Sequence, residues 1–180
     1  MIVKGWSYGM QLPVQTLTRT LADPWEDDAT VEDLVTIAKK AEVTGHEFVG
    51  VCDHIAIPDN DYAANMRTTW YDAVATLSYL AAHTTTVNLL SVVWVAAYRH
   101  PLQTAKSFGT LDHLSGGRVI MGVGAGHVEA EFEALGVDYA QRGKILNESI
   151  DAIRGAFQSD YASFDGDFYS YKNVGIAPGP

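Results

Sequence analysis

Hydrophobic positions in this chain fall into two alternating patterns. Four short runs are apolar almost without interruption: Trp6–Leu12, which stops at Pro13, Phe48–Asp53, Val87–Val95, and Arg118–Gly124, which follows a Ser-Gly-Gly turn. Such runs suit parallel strands buried on both faces better than half-exposed strands, which alternate apolar and polar residues. Between them the apolar positions recur at helical spacing. Val31, Leu34, Val35, Ala38 and Ala41 make one stripe, with Thr30 and Asp33 as a capping box and Gly45 as the stop. A second helix is predicted over Asp72–His83, with Ala73, Leu77, Leu80 and Ala81 inward. The third opens at Pro101, a residue favoured at the first helical position, and ends at Gly116–Gly117. The fourth carries Leu146, Ile150, Ile153 and Phe157 on one face.

Strand and helix therefore alternate four times, at roughly the length of a βαβ repeat. That rhythm predicts an α/β fold with a parallel sheet, either an open doubly wound sheet or a closed (β/α)8 barrel. A dinucleotide fingerprint would favour the first. GVGAGH, however, places His127 where G-x-G-x-x-G needs its last glycine, and it follows the fourth strand rather than the first. Beyond the fourth helix, SFDGDFYSYKNVGIAPGP is aromatic and rich in glycine, with a hairpin-like DGD turn. Residues 160–180 read as an excursion rather than a fifth unit.

Composition narrows the function classes. The chain has 180 residues, 47% hydrophobic and 19% charged, enough for one domain with a real core. Its net charge of −10 argues against sequence-independent nucleic-acid binding, which depends on Lys and Arg neutralising phosphates. No apolar run is long enough to span a membrane, and the N-terminus lacks the apolar centre of a signal peptide, so a cytoplasmic location is expected. Cys52 is the only cysteine, which excludes an internal disulfide and fits a reducing compartment.

The candidate chemistry sits where the apolar runs end. Asp53 and His54 close the second strand, and polar residues at strand C-termini line the active sites of barrel enzymes. An imidazole there can take or give a proton near neutral pH, and a neighbouring carboxylate can hold or charge it. The competing reading is a capping aspartate and a hydrogen-bonded structural histidine. Cys52 reads either as a reactive thiol or as a small core residue. His127 closes GVGAGH, whose glycines let backbone approach a ligand; a glycine-rich turn into a helix is the alternative. His46, His83, His100 and His113 lack metal-ligand spacing, so no metal is expected. Ser91 reads as a core hydroxyl, and no G-x-S-x-G supports nucleophilic catalysis. The segment Asp59–Asp72 is long for a βα connection, as loops that close over ligands often are.

Two longer segments decide the architecture. RHPLQTAKSFGTLDHLSGGR (99–118) and GVGAGHVEAEFEALGVDYAQRG, with the opening GMQLP, the DH pair and DGDFYSYKNV, resemble the luciferase-like monooxygenase superfamily, from about Tyr8 to Val174. The likeness is greatest to members that use the deazaflavin coenzyme F-420. It implies a TIM barrel and a cytoplasmic homodimer or higher homo-oligomer. Its chemistry is oxidoreductase or monooxygenase chemistry on a small organic substrate, with coenzyme F-420 as first choice of cofactor and FMN as second. Under the resemblance Asp53 and His54 flank the cofactor ring, with His54 in proton transfer. A cis non-prolyl bond is expected at Ser91–Val92, against the ring, and Gly124, Ala125 and Gly126 pass beneath it. His127, where relatives often carry Trp or an acid, becomes a proton donor or ring contact.

A TIM barrel takes about 250 residues. Residues 1–180 are therefore expected to form a single domain holding the first four βα units, with 160–180 leading to a missing fifth strand. The phosphate-binding loops after strands seven and eight would lie outside it. A non-catalytic flavin-binding protein or inert truncated paralogue is the alternative function, and a metal-dependent barrel hydrolase a third.

Overall fold

A computed structural model describes residues 7–16, 18–20 and 22–180; the Trp6 end of the first predicted strand lies outside them. Four strands, β1 (Met10–Gln11), β2 (Phe48–Val51), β3 (Asn88–Ser91) and β5 (Val119–Ile120), form one sheet in the order β1-β2-β3-β5, and every neighbouring pair is parallel. A second parallel ladder joins β4 (Trp94–Val95) to β6 (Val123–Gly124). The predicted runs Val87–Val95 and Arg118–Gly124 are thus each broken in two. Leu90 pairs with Ile120 and Trp94 with Val123, so three residues on one chain face two on the other. This one-residue bulge has a steric basis, since a Cβ on Gly122 would stand 2.4 Å from the Ser91 carbonyl oxygen. Period 2 survives on one side only. Val119, Met121 and Val123 all pack against the main core, whereas Leu89 and Trp94, an odd number of residues apart, both belong to it.

The helices follow the sequence signals closely. In α1 (Val31–Val43) the Thr30 Oγ1 accepts the Asp33 N–H and the Asp33 carboxylate accepts the Thr30 N–H at 2.9 Å, closing the predicted capping box. Leu34, Val35, Ala38 and Ala41 are buried, while Val31 in the first turn stays exposed. Helix α2 spans Ala73–Ala81 with an Asp72 N-cap, and α3 spans Pro101–Ser115. The residues after α3 explain the SGGR signature structurally. Gly116 and Gly117 both take positive φ, a conformation that favours glycine. They turn Arg118 back into the fold. Its guanidinium donates to the carbonyls of Ala81, Thr84, Val87 and Ser115 and to Thr84 Oγ1, at 2.8 to 3.2 Å. One side chain thereby satisfies carbonyls that the ends of α2 and α3 leave without partners. On the neighbouring corner Glu42 accepts the backbone N–H groups of Thr85, Thr86 and Val87.

A short helix that the sequence did not announce, α4 (Glu129–Ala134), follows β6. Helix α5 (Arg142–Ala156) buries Ile145, Ser149, Ala152, Ile153 and Ala156. That face is rotated from the predicted stripe, of which Leu146, Ile150 and Phe157 are only half-buried. The DGD turn joins β7 (Ala162–Asp165) to β8 (Ser170–Val174) in an antiparallel hairpin, and Glu148 of α5 receives the N–H groups of Asp167, Phe168 and Tyr169.

The main core joins strand residues Val49, Val51 and Leu89 to helix residues Leu34, Leu77, Leu80, Phe108 and Leu111. A smaller cluster of Val95, Tyr98, Phe132 and Ile145 lies under the C-terminal ends of β4 and β6. Among the described residues no helix is long and apolar enough to cross a membrane, and no group of His, Cys, Asp and Glu could hold a metal ion.

Candidate functional site

Parallel strands end on one side of a sheet, and here β2, β4 and β6 end around a cleft of about 370 Å³. Its size is in the range of small-ligand sites. Cys52, Asp53 and His54 enter from beyond β2, Val92, Val93 and Val95 from the bulged segment, and Gly124, Ala125, Gly126 and His127 from beyond β6. Trp70 closes one side, its ring 4.4 Å from that of His54. Residues separated by more than seventy positions therefore meet at one place, because parallel strands bring their C-terminal ends together.

His54 is the centre of the arrangement. Its side chain is nearly buried, and Nδ1 lies 2.7 Å from Oε2 of Glu131 on α4. Glu131, wholly buried, also accepts the Tyr98 hydroxyl at 2.7 Å on Oε2 and the N–H groups of Ile55 and Ala56, at 2.6 and 3.0 Å, on Oε1. Burial raises the Glu131 pKa. The donors from His54, Ala56, Tyr98 and Ile55 outweigh burial and hold the carboxyl below its ordinary value. Burial and the contact with that carboxylate push the Tyr98 hydroxyl far up, so it stays a donor. No hydrogen bond reaches His54 Nε2 among the described residues, and the only fully buried side-chain polar atom without a partner among them is Ser149 Oγ. Nε2 is thus the edge of His54 left for chemistry.

The other predicted site residues take different places. Asp53 borders the cleft, but its carboxylate points into the fold. It accepts the Arg99 guanidinium on both oxygens, at 2.7 and 2.8 Å, and the Val95 N–H at 2.9 Å. Arg99 in turn lies 3.7 Å over the Trp94 ring. Ser91 is fully buried and donates to the Gly122 carbonyl at 2.9 Å, so it stands behind the cleft rather than in it. The cis non-prolyl bond is between Val92 and Val93, not at Ser91–Val92. The Val92 N–H donates to Val51 O at 2.8 Å, which keeps the Ser91–Val92 peptide inside the regular ladder and moves the departure one bond on. Val92 and Val93 supply apolar wall, and Gly124 lies so close to Val93 that a Cβ there would approach within 2.4 Å.

His127 is exposed at the mouth, its ring 5.7 Å from that of His54 and 6.2 Å from that of Tyr62. Burial, then the proximity of His54, lowers its pKa, with Glu131 acting the other way. Burial raises the Cys52 thiol, with Gln15 opposing and Asp53 adding to the rise. Cys52 itself is half-buried at the wall of the cleft.

Glu131, Tyr98 and Arg99 were not singled out from the sequence. A signal for Glu131 does exist. It lies three residues after Val128 and beside Phe132, on the buried stripe of a helix whose other acids, Glu129 and Glu133, are exposed.

Comparison with known proteins identifies the fold and the family. The chain is 34% identical over 140 residues to 5,10-methylenetetrahydromethanopterin reductase of Methanolobus tindarius, covering 78% of this chain and 39% of that protein. It is 34% identical over 152 residues to F420-dependent glucose-6-phosphate dehydrogenase of Amycolatopsis mediterranei, covering 82% of this chain and 44% of that one. Among solved structures, monooxygenase RslO1 from Streptomyces bottropensis superposes with a TM-score of 0.79 at 20% identity, over 97% of this chain and 50% of its own. The chain thus spans about half the length, or less, of these relatives. A match to the luciferase-like monooxygenase family runs over residues 10–180, and the chain belongs to that family.

Proposed function

We propose that this chain contributes the cofactor-facing half of a flavin- or deazaflavin-dependent oxidoreductase, in which His54 exchanges a proton with the bound cofactor or a small organic substrate. The carrying observation is that His54 lines the cleft at the ends of β2, β4 and β6 with Nδ1 held by Glu131 and Nε2 without a hydrogen-bond partner among the described residues.

The residues present fit a flat heteroaromatic ring. Val92, Val93 and Val95 offer an apolar wall, and Gly124–Ala125–Gly126 a floor almost without side chains. The lining of this cleft carries no Lys or Arg among the described residues, and the nearby Arg99 is committed to Asp53. The chain therefore suits the ring rather than a phosphate-bearing tail, which falls to loops of a completed barrel. Coenzyme F-420 is the first choice, supported by the F420-dependent relative at 34% identity, and FMN the second. When bound, coenzyme F-420 would carry a hydride to or from the substrate, whereas FMN would carry a hydride or, reduced, supply the flavin needed for oxygen insertion.

The chain's own residues do the rest. Trp70 and the valines keep water from one side of the cleft, and Asp53 fixes the segment that bears Val95. His127, held towards its neutral form, lies at the mouth as a ring contact or second proton carrier. In this reading residues 1–180 are one domain of four βα units. Residues 160–180 lead towards a fifth strand, and the assembled enzyme is a homo-oligomer.

Absorbance and fluorescence titration with coenzyme F-420 and with FMN tests the cofactor, and neither binding would overturn that part. His54→Ala in the full-length enzyme is expected to lower turnover by about 10²–10⁴-fold, the usual contribution of a general acid or base. Unchanged turnover with an unchanged circular dichroism spectrum would remove His54 from the chemistry.

A further inference from the structure

We infer that Glu131 is a positioning residue that fixes the neutral form of His54 as its Nδ1–H tautomer, which leaves Nε2 as the proton acceptor of a ring that lines the cleft. The inference rests on the proposal that His54 handles the proton, and it adds which ring nitrogen accepts it.

The argument is an accounting of donors. An ionised carboxylate only accepts hydrogen bonds, and its two oxygens offer about four lone-pair sites. On Glu131 these sites are filled: Oε1 by the Ile55 and Ala56 N–H groups, Oε2 by the Tyr98 hydroxyl and His54 Nδ1. Since the carboxylate cannot donate, the proton in the 2.7 Å contact belongs to Nδ1. A neutral imidazole carries a single N–H, so Nε2 is left with its lone pair.

Geometry adds a second constraint. Ile55 and Ala56 are the next residues along the chain, so one carboxylate holds both the imidazole and the backbone that carries it. Trp70 packs against the ring from another side. Glu131 itself sits on α4, locked by Phe132, which is fully buried between the rings of Tyr98 and Tyr139. The proton acceptor is thus oriented from a rigid element outside the strand that bears it, as an effective site requires.

Glu131→Gln makes the inference testable without a cofactor. The carboxamide oxygen keeps the two backbone donors, and the amide nitrogen then faces Nδ1. An amide nitrogen donates only, so Nδ1 must become the acceptor and the ring proton must move to Nε2. Long-range proton–nitrogen correlation spectra of the nitrogen-15-labelled protein distinguish the two tautomers at a pH where the ring is neutral. His54 is assigned by the signal lost in His54→Gln. The expected result is Nδ1–H in the wild type, Nδ1–H retained in Tyr98→Phe, and Nε2–H in Glu131→Gln. Turnover of Glu131→Gln should fall towards the level of His54→Ala.

A neutral wild-type His54 carrying its proton on Nε2 would overturn the inference, even if Glu131→Gln fails to fold. So would a folded Glu131→Gln that keeps the wild-type tautomer. The expected tautomers together with a dispensable His54 would instead sink only the proton-transfer proposal.

Discussion

Replacing Asp53 by alanine separates two roles for this residue, a contact to the cofactor ring and a clamp inside the fold. The structure favours the clamp. Asp53 is 3% exposed and bonds Arg99 through both oxygens while accepting the Val95 N–H. Deleting it leaves the guanidinium, whose side chain is 12% exposed, beside Trp94 without its counter-ion. Removing one partner of a buried ion pair costs about 3–5 kcal/mol. Losing the acceptor of a buried N–H costs about 1–3 kcal/mol. The two do not add, because Asp72 lies 3.8 Å from Arg99 and can take over part of the charge. A net loss of about 3 kcal/mol follows, a large part of the roughly 5–15 kcal/mol that holds a domain together. In urea this shifts the midpoint by about 1.5 M for an m-value near 2 kcal/mol/M. Adding Arg99→Met to Asp53→Ala removes the stranded charge and should recover most of the loss. A cost below about 1 kcal/mol for Asp53→Ala, with weakened cofactor binding, would return Asp53 to the ring and refute the clamp.

Arg118→Ala leaves the carbonyls of Ala81, Thr84, Val87 and Ser115 without their shared donor, and a loss of about 3 kcal/mol in urea is expected; Arg118→Lys, with fewer donors in a different geometry, should lose roughly half of that. Gly126→Ala forces a side chain onto a residue with φ +81°, its Cβ within 2.8 Å of Phe132 and Val95, and should cost about 1–3 kcal/mol, read as a lowered Tm with loss of cleft geometry. Glu42→Gln changes the acid limb of stability. Burial raises the Glu42 pKa, but the N–H groups of Thr86, Val87 and Thr85 outweigh it and lower the carboxyl from 4.5 to about 2. Its contribution is therefore complete above about pH 4.5 and disappears as pH falls through about 2, so the variant should lose pH dependence in that window when urea midpoints are followed downward.

Local signals carried much of the fold. The Thr30–Asp33 box, the Pro101 start and the Gly116–Gly117 stop are chemistry between residues close in sequence, and each stands where the pattern put it. The apolar runs identified the parallel strands for the same reason. Continuity within a run was not legible, because the bulge depends on Gly122 meeting Ser91, two residues thirty-one positions apart. The site was legible at His54, whose place at a strand end is local. Asp53 looked like its equal, yet beyond the end of β2 its carboxylate turns inward to Arg99, a partner forty-six positions away. Glu131 was hidden by its neighbours, since three acids in five residues resemble a solvated helix face. Only the tertiary fold shows that one of them faces in.

The extra residue between Leu90 and Trp94 ties the site, rather than the fold, to the chain length of this stretch. In a strand, one residue more or fewer exchanges the two faces for everything that follows, and the bulge already carries one such extra residue. Shortening 91–93 by one residue would leave the flanking ladders able to pair. Leu89 and Trp94 would then stand four residues apart, so regular alternation would keep both in the core; what would go is the extra residue that brings Val92 and Val93 to the wall of the cleft. Conservative substitution is survivable at these positions, whereas a deletion is not a smaller version of it. When distant sequences are aligned to this chain, a gap opened within 91–93 therefore marks either a different site or a misplaced gap.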